Sequence, residues 1–337
     1  MKSPAAYGSH FARLTGRATI ILAALCAVTL GCKGPSPSPA DAPRPNPTAS
    51  STAARDTGGW QKVRHWLYQL QKLDLDRVAA SQFELVVTDY STDGSEEKRL
   101  TPAQVARLQS SPQGRRLVLA YLSIGEAEDY RYYWQRNWQP GNPSWLKPVN
   151  PQWKGNYPVE YWEPAWKSII YGSPGAYLDK IIDAGFDGVY LDVIEAYELF
   201  EAQRPSAQQD MAQLVREIAT YARETRGKRD FGVFPQNGEP LADVPGYLDV
   251  VTGIGREDLY YGNPDDNRAS PARFTAEAEG YLDRYVKAGK LVLTVDYTQR
   301  PEQVADGYKR AQARGYVPYA TVRGLDRMVI NDGFDPR

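Results

Sequence analysis

The chain has 337 residues, 42% hydrophobic and 24% charged, which is ordinary globular composition with ample material for a core. Forty Lys plus Arg against 41 Asp plus Glu leave a net charge of -1, without the basic surplus that a phosphate backbone demands, so nucleic acid is not an expected partner. His10, Cys26 and Cys32 lie near the start and His65 alone serves the rest. A Ser-His-Asp triad, a His-rich metal site and a disulfide framework are therefore disfavoured. No cofactor or metal is expected, and the chemistry must rest on carboxylates.

Lys2, Arg13 and Arg17 precede an apolar run from Ala18 to Leu30 that ends at Gly31. A positive region, a short apolar core and a small-residue exit predict an export signal over 1–31, too short for a comfortable membrane span. Thr29-Leu30-Gly31-Cys32 resembles the bacterial lipoprotein box, which implies lipidation of Cys32 and anchorage to a membrane. From 32 to 59 the chain is rich in Pro, Ser and Ala and predicts a disordered tether. The expected location is extracytoplasmic, with the folded domain spanning 60–337.

Beyond the tether, one phrase repeats. Pro102 to Gly114, Pro174 to Gly185, Pro271 to Gly289 and Pro301 to Gly315 place proline at a first helical position and glycine just past the last, the asymmetry expected of helix ends. A further helix from Ser206 to Gly227 opens with a Ser-x-x-Gln capping box. Strands are expected at Phe83–Thr88, Leu117–Tyr121, Val159–Trp166, Phe186–Leu191, Phe231–Phe234, Leu248–Ile254, Leu291–Val295 and Tyr316–Ala320. Eight strands alternating with helices predict an α/β chain forming a single (β/α)8 barrel. A doubly wound open sheet is the alternative, although no Gly-x-Gly-x-x-Gly turn follows the first strand. Pro318 is awkward within the last strand.

Barrels keep their chemistry at the C-terminal ends of the strands. There this sequence puts Asp89, Glu126, Asp192, Glu239, Glu257 and Asp296. Period-2 alternation turns Gly188, Tyr190 and Asp192 toward the barrel axis, and the same reading turns Asp296 inward. Asp187, Glu195 and Glu198 read as structural. Paired carboxyls without histidine fit glycoside hydrolysis. All eight tryptophans fall between Trp60 and Trp166, either as sugar platforms or as anchors of a long loop.

Thr88-Asp89-Tyr90-Ser91, Ala120 to Glu126, Gly185 to Asp192 and Phe234-Pro235-Gln236-Asn237-Gly238-Glu239 resemble glycoside hydrolase family 114. Gly255 to Tyr261 and Val295-Asp296-Tyr297 continue the likeness, which breaks from Ala127 to Pro158. The resemblance implies a (β/α)8 barrel with retaining endo-α-1,4-polygalactosaminidase activity on a cationic amino-sugar polysaccharide. It implies Asp192 as nucleophile and Glu239 as general acid and base, with Asp89, Tyr90, Glu126, Tyr190, Asn237, Arg256, Glu257 and Asp296 binding substrate. A lipid-anchored carbohydrate-binding protein without catalysis, and a metal-dependent hydrolase using Asp and Glu ligands, are the competing readings.

Overall fold

The computed structural model describes residues 59–336. The expected signal segment, Cys32 with its lipidation, and the tether up to residue 58 lie outside the described residues. Eight parallel strands run in chain order: β1 (Trp66–Tyr68), β2 (Leu85–Asp89), β3 (Leu117–Ser123), β4 (Gly188–Asp192), β5 (Gly232–Pro235), β6 (Gly253–Glu257), β7 (Leu291–Tyr297) and β8 (Val317–Thr321). The helices between them are α1 (Leu75–Ala80), α2 (Pro102–Gln109), α3 (Pro164–Ile170), α4 (Tyr177–Ala184), α5 (Ala207–Thr220), α6 (Tyr247–Val250), α7 (Ala272–Lys287) and α8 (Pro301–Ala313). No helix among the described residues is long and apolar enough to cross a membrane.

Strands β1 to β5 form one sheet and β6 to β8 a second, each in sequential order. A parallel bridge from Gln236 to Gly255 joins β5 to β6, supported by Thr252 N donating to the Val233 carbonyl at 2.9 Å. Strands β8 and β1 meet through the Trp66 indole, which donates to the Val317 carbonyl at 3.0 Å. Sequential order contains no reversal, so the alternative of a doubly wound sheet, which needs one, is overturned. The architecture is α/β with a parallel central sheet.

Local chemistry explains most element ends. Thr101 and Gln104 cap α2 reciprocally, and Gly185 ends α4 at φ 92°, a left-handed turn that a side chain would strain. The capping box expected at Ser206 does not form, because the Ser206 hydroxyl donates to Asp210 instead. Two strand expectations also need correction. Within Val159–Trp166, Pro164 opens α3, and Leu248–Ile254 begins as α6, with only its last two residues in β6. The short β1 was not expected at all.

Inside the sheet, Tyr190 lies 5.1 Å from Tyr68 and 6.2 Å from Trp66 between ring centroids. Gly255 makes room for it: a Cβ there would stand 1.8 Å from the Tyr190 hydroxyl. Strand β4 has the expected phase, with Tyr190 and Asp192 inward. Strand β7 has the opposite phase from that expected, because Tyr297 reaches inward to Glu257. Asp296 faces outward, its Oδ2 only 2.9 Å from where a Cβ on Gly307 of α8 would lie.

At the N-terminal end of the sheet, the buried Arg116 guanidinium donates to the carbonyls of Phe83, Val78, Leu108 and Ser81 at 2.7, 2.8, 3.1 and 2.6 Å. Those of Val78, Ser81 and Leu108 close α1 and α2, where unpaired carbonyls concentrate negative potential.

Candidate active site

Two acids meet at the C-terminal ends of β4 and β6. The Gln236 amide nitrogen donates to Asp192 Oδ1 at 2.8 Å and also to Glu257 Oε2 at 2.9 Å. One nitrogen shared by both oxygens holds them within those two legs laid end to end. Tyr121 on β3 donates to Asp192 Oδ2 at 2.6 Å, and the Tyr297 hydroxyl bonds to Glu257 Oε1. The turn after β5 builds this bridge. Gln236 N donates to the Leu191 carbonyl at 2.7 Å, and Asn237 takes φ 59°, a conformation that Asn tolerates better than most residues. Asn237 Oδ1 then accepts from Arg256 at 2.7 Å and from Glu257 N at 3.2 Å, while its Nδ2 reaches Glu257 Oε2 at 3.4 Å.

Burial disfavours charge on both acids. It pushes the Asp192 carboxyl up to about 6, against the hydrogen bonds from Tyr121 and the Val193 backbone that draw it down. Burial, followed by the charges of Asp192 and Asp258, pushes Glu257 up to about 8. Glu195, read from the sequence as structural, belongs here instead. Desolvation and Asp192 raise its carboxyl well above the usual range, and Asn237 Nδ2 lies 3.5 Å from it. Asp187 does sit in a structural turn, accepting from Val118 N at 2.9 Å.

Glu239, the expected acid and base, heads the turn Glu239–Asp243 with its carboxylate 3.2 Å from Arg256 Nε. Arg256 stacks its guanidinium over Phe274 of α7, on the side of β6 opposite to Gly255 and Glu257. The carboxyl that a shared donor ties to Asp192 is that of Glu257, whereas Glu239 lies against Arg256.

Other candidates scatter. Asp89 takes a two-pronged ion pair from Arg131, 2.8 Å on each arm, and Arg131 also bonds Glu128 at 2.6 Å. Tyr90 does not face the site. It packs on Tyr177 of α4 at 5.5 Å and bonds Glu96 at 3.3 Å. Glu126 is fully buried and accepts from Asn150 at 3.0 Å. Tyr190 lies beneath the acids with its hydroxyl buried and without a partner. Asp296 accepts from the Tyr260 and Tyr261 backbone at 2.9 and 3.1 Å, outside the pair.

A cleft of about 720 Å³ opens beside the ends of β1 and β2, lined among others by Leu70, Lys72, Asp89, Asp93, Asp129 and Tyr130. Trp134, Trp138, Trp145 and Trp166 form a chain of rings 5.0–5.3 Å apart, which packs the long loop after β3 in the manner of a small core. Among the described residues, no three His, Cys, Asp or Glu side chains group to hold a metal ion.

Tyr121, Gln236 and Tyr297 were missed as site residues although each stands in a motif already quoted. For Tyr297 the signal was strand phase: an inward Tyr297 requires an outward Asp296. Arg131 carried none, lying in a stretch with no recognisable pattern.

A relative from Deinococcus radiodurans is 38% identical over 318 residues, 91% of this chain and 98% of its own. Another from Thermotoga maritima is 36% identical over 304 residues, 86% and 90% of the two chains. Both are uncharacterized. Among solved structures, a family GH13_31 enzyme aligns over 77% of this chain and 66% of its own at 8% identity and a TM-score of 0.47. A chitinase from Chromobacterium violaceum covers 78% of this chain and 95% of its own at 11% identity and 0.44. The model of glycoside-hydrolase family GH114 matches residues 49–333. The chain thus belongs to glycoside-hydrolase family GH114, a membership that implies glycoside hydrolysis.

Proposed function

We propose that this protein is a retaining endo-glycosidase that cleaves α-1,4-linked galactosamine polysaccharide on a closed (β/α)8 barrel, using Asp192 and Glu257. The shared Gln236 amide carries the reading. A shared donor with legs of 2.8 and 2.9 Å keeps the two nearest oxygens close together, which is compatible with the ~5–5.5 Å separation of the carboxyls in a retaining pair. Of the two, Asp192 holds its proton less tightly, which suits the nucleophile, and Glu257 keeps its proton near neutrality, which suits the acid.

In the first half, Asp192 bonds to the anomeric carbon while Glu257 gives its proton to the departing oxygen. In the second, Glu257 takes a proton from water, the water oxygen bonds to the anomeric carbon, and Asp192 leaves as carboxylate. Asp89 is neutralised by Arg131 and Asp296 faces α8, so the cleft acids Asp93 and Asp129 are the ones that suit an ammonium-bearing sugar.

Defined galactosamine oligosaccharides analysed by mass spectrometry, with NMR of the first-formed anomer, test the proposal. Asp192→Asn and Glu257→Gln should each lower turnover by about 10³-fold or more, and Glu239→Gln by far less. Turnover surviving in Glu257→Gln but lost in Glu239→Gln would return the acid role to Glu239. We further propose lipid anchorage at Cys32, supported by the lipoprotein-like box. Fatty-acid labelling should disappear in Cys32→Ala.

A further inference from the structure

An amide nitrogen can only donate. Because Gln236 faces Asp192 Oδ1 and Glu257 Oε2 with its nitrogen, neither of those oxygens can present a proton toward it. A proton on either acid is therefore directed away from that nitrogen. Asp192 Oδ2 faces the Tyr121 hydroxyl and Glu257 Oε1 faces the Tyr297 hydroxyl. A phenol can donate to a carboxylate and, by rotating its O–H, accept from a carboxylic acid, so these bonds survive both protonation states.

We infer that Tyr121 and Tyr297 are positioning residues, one for each carboxyl, and that each hydroxyl separately governs the readiness of its own acid to work as carboxylate. This rests on the assignment of Asp192 and Glu257 as the reacting pair. Tyr121 stabilises the ionised nucleophile before attack. Tyr297 stabilises Glu257 as it becomes the base that deprotonates water.

Both phenols are buried, and desolvation holds their protons well above the ordinary range, so each stays a hydroxyl across the working pH. The charged and titratable groups around Glu257 are Asp192 on β4, Glu195 after it, Asp258, Arg323 after β8, and the Tyr68 and Tyr190 hydroxyls. Around Asp192 they are Glu257 on β6, Glu128, Glu195 and the Tyr68 and Tyr190 hydroxyls. All of these persist when either tyrosine is changed.

The test is a carboxyl-carbon NMR titration of the full chain with labelled Asp and Glu, the two signals assigned by their loss in Asp192→Asn and Glu257→Gln. A hydrogen bond to a charged group contributes about 1.5–3 kcal/mol against about 0.5–1.5 kcal/mol for one between neutral groups, a difference of about 1 pH unit. Tyr121→Phe should raise the Asp192 midpoint by that much and move the acidic limb of kcat/KM upward. Tyr297→Phe should raise the Glu257 midpoint and move the alkaline limb upward.

A midpoint that stays put, or both midpoints shifting alike in each variant, overturns the inference. Should a Phe variant fail to fold, a site-specific difluorotyrosine, a stronger donor of nearly equal size, must move the same midpoint down, and an unmoved midpoint overturns the inference equally. Continued hydrolysis by Asp192→Asn and Glu257→Gln would sink the functional proposal while the titration still judges the tyrosines.

Discussion

Tyr190 shows how closely the paired acids and the layer beneath them are stacked. Its ring sits under the acids, its hydroxyl has no partner, and Gly255 leaves it barely enough space. Gly255→Ala should therefore destabilise the protein by about 1–3 kcal/mol or more, since neither a central strand nor a packed ring can give way. Tyr190→Phe removes a buried unpaired hydroxyl, so it should be neutral or stabilising, should leave turnover unchanged, and should restore part of what Gly255→Ala loses. Denaturant titration of the two single variants and the double variant measures the coupling. A Tyr190→Phe variant that folds but loses turnover would reinstate Tyr190 as a substrate contact.

The elements are held from below by Arg116, whose one guanidinium gathers the ends of α1 and α2 and the start of β2. Arg116→Ala would leave several carbonyls buried without a donor, and a loss of about 3–5 kcal/mol is expected in chemical unfolding. Arg116→Lys should recover only part of it, because a single ammonium cannot reproduce the planar fork.

Legibility in the sequence followed the same boundary between local and remote causes. Helices with Pro and Gly brackets could be read because their signals are local. Six of the parallel strands lay where apolar runs predicted them, and β6 was partly found. Strand β1 has three residues, too few for any periodicity. Val159–Trp166 imitates a strand through its aromatics, yet those side chains fill a loop and its helix. In the site, Asp192 was legible because β4 alternates cleanly. The inward Tyr297 and the position of Glu239 against Arg256 depend on which face of a neighbouring strand each residue occupies, which spacing along the chain does not encode.

For the whole molecule, the buried acids create a pH dependence of known sign. Asp192, Asp296 and Glu257 are raised to about 6, 7 and 8 in the folded state, above their unfolded values near 4. A raised carboxyl favours folding below its unfolded pKa, and that contribution is lost as pH climbs through the folded value. Thermal unfolding should accordingly show a higher Tm near pH 5 than near pH 8. Glu257→Gln should flatten the upper part of that decline while abolishing turnover, and an unaltered slope would argue against a raised Glu257.

The seam between β8 and β1 has a consequence for self-association. Pro318 has no N–H to offer, and β1 is only three residues long. If the seam breathes, the exposed rows are too short and too poor in donors to template an added strand from another molecule. The proline that looked out of place in a strand would then help limit self-association at a join where the backbone ladder is interrupted.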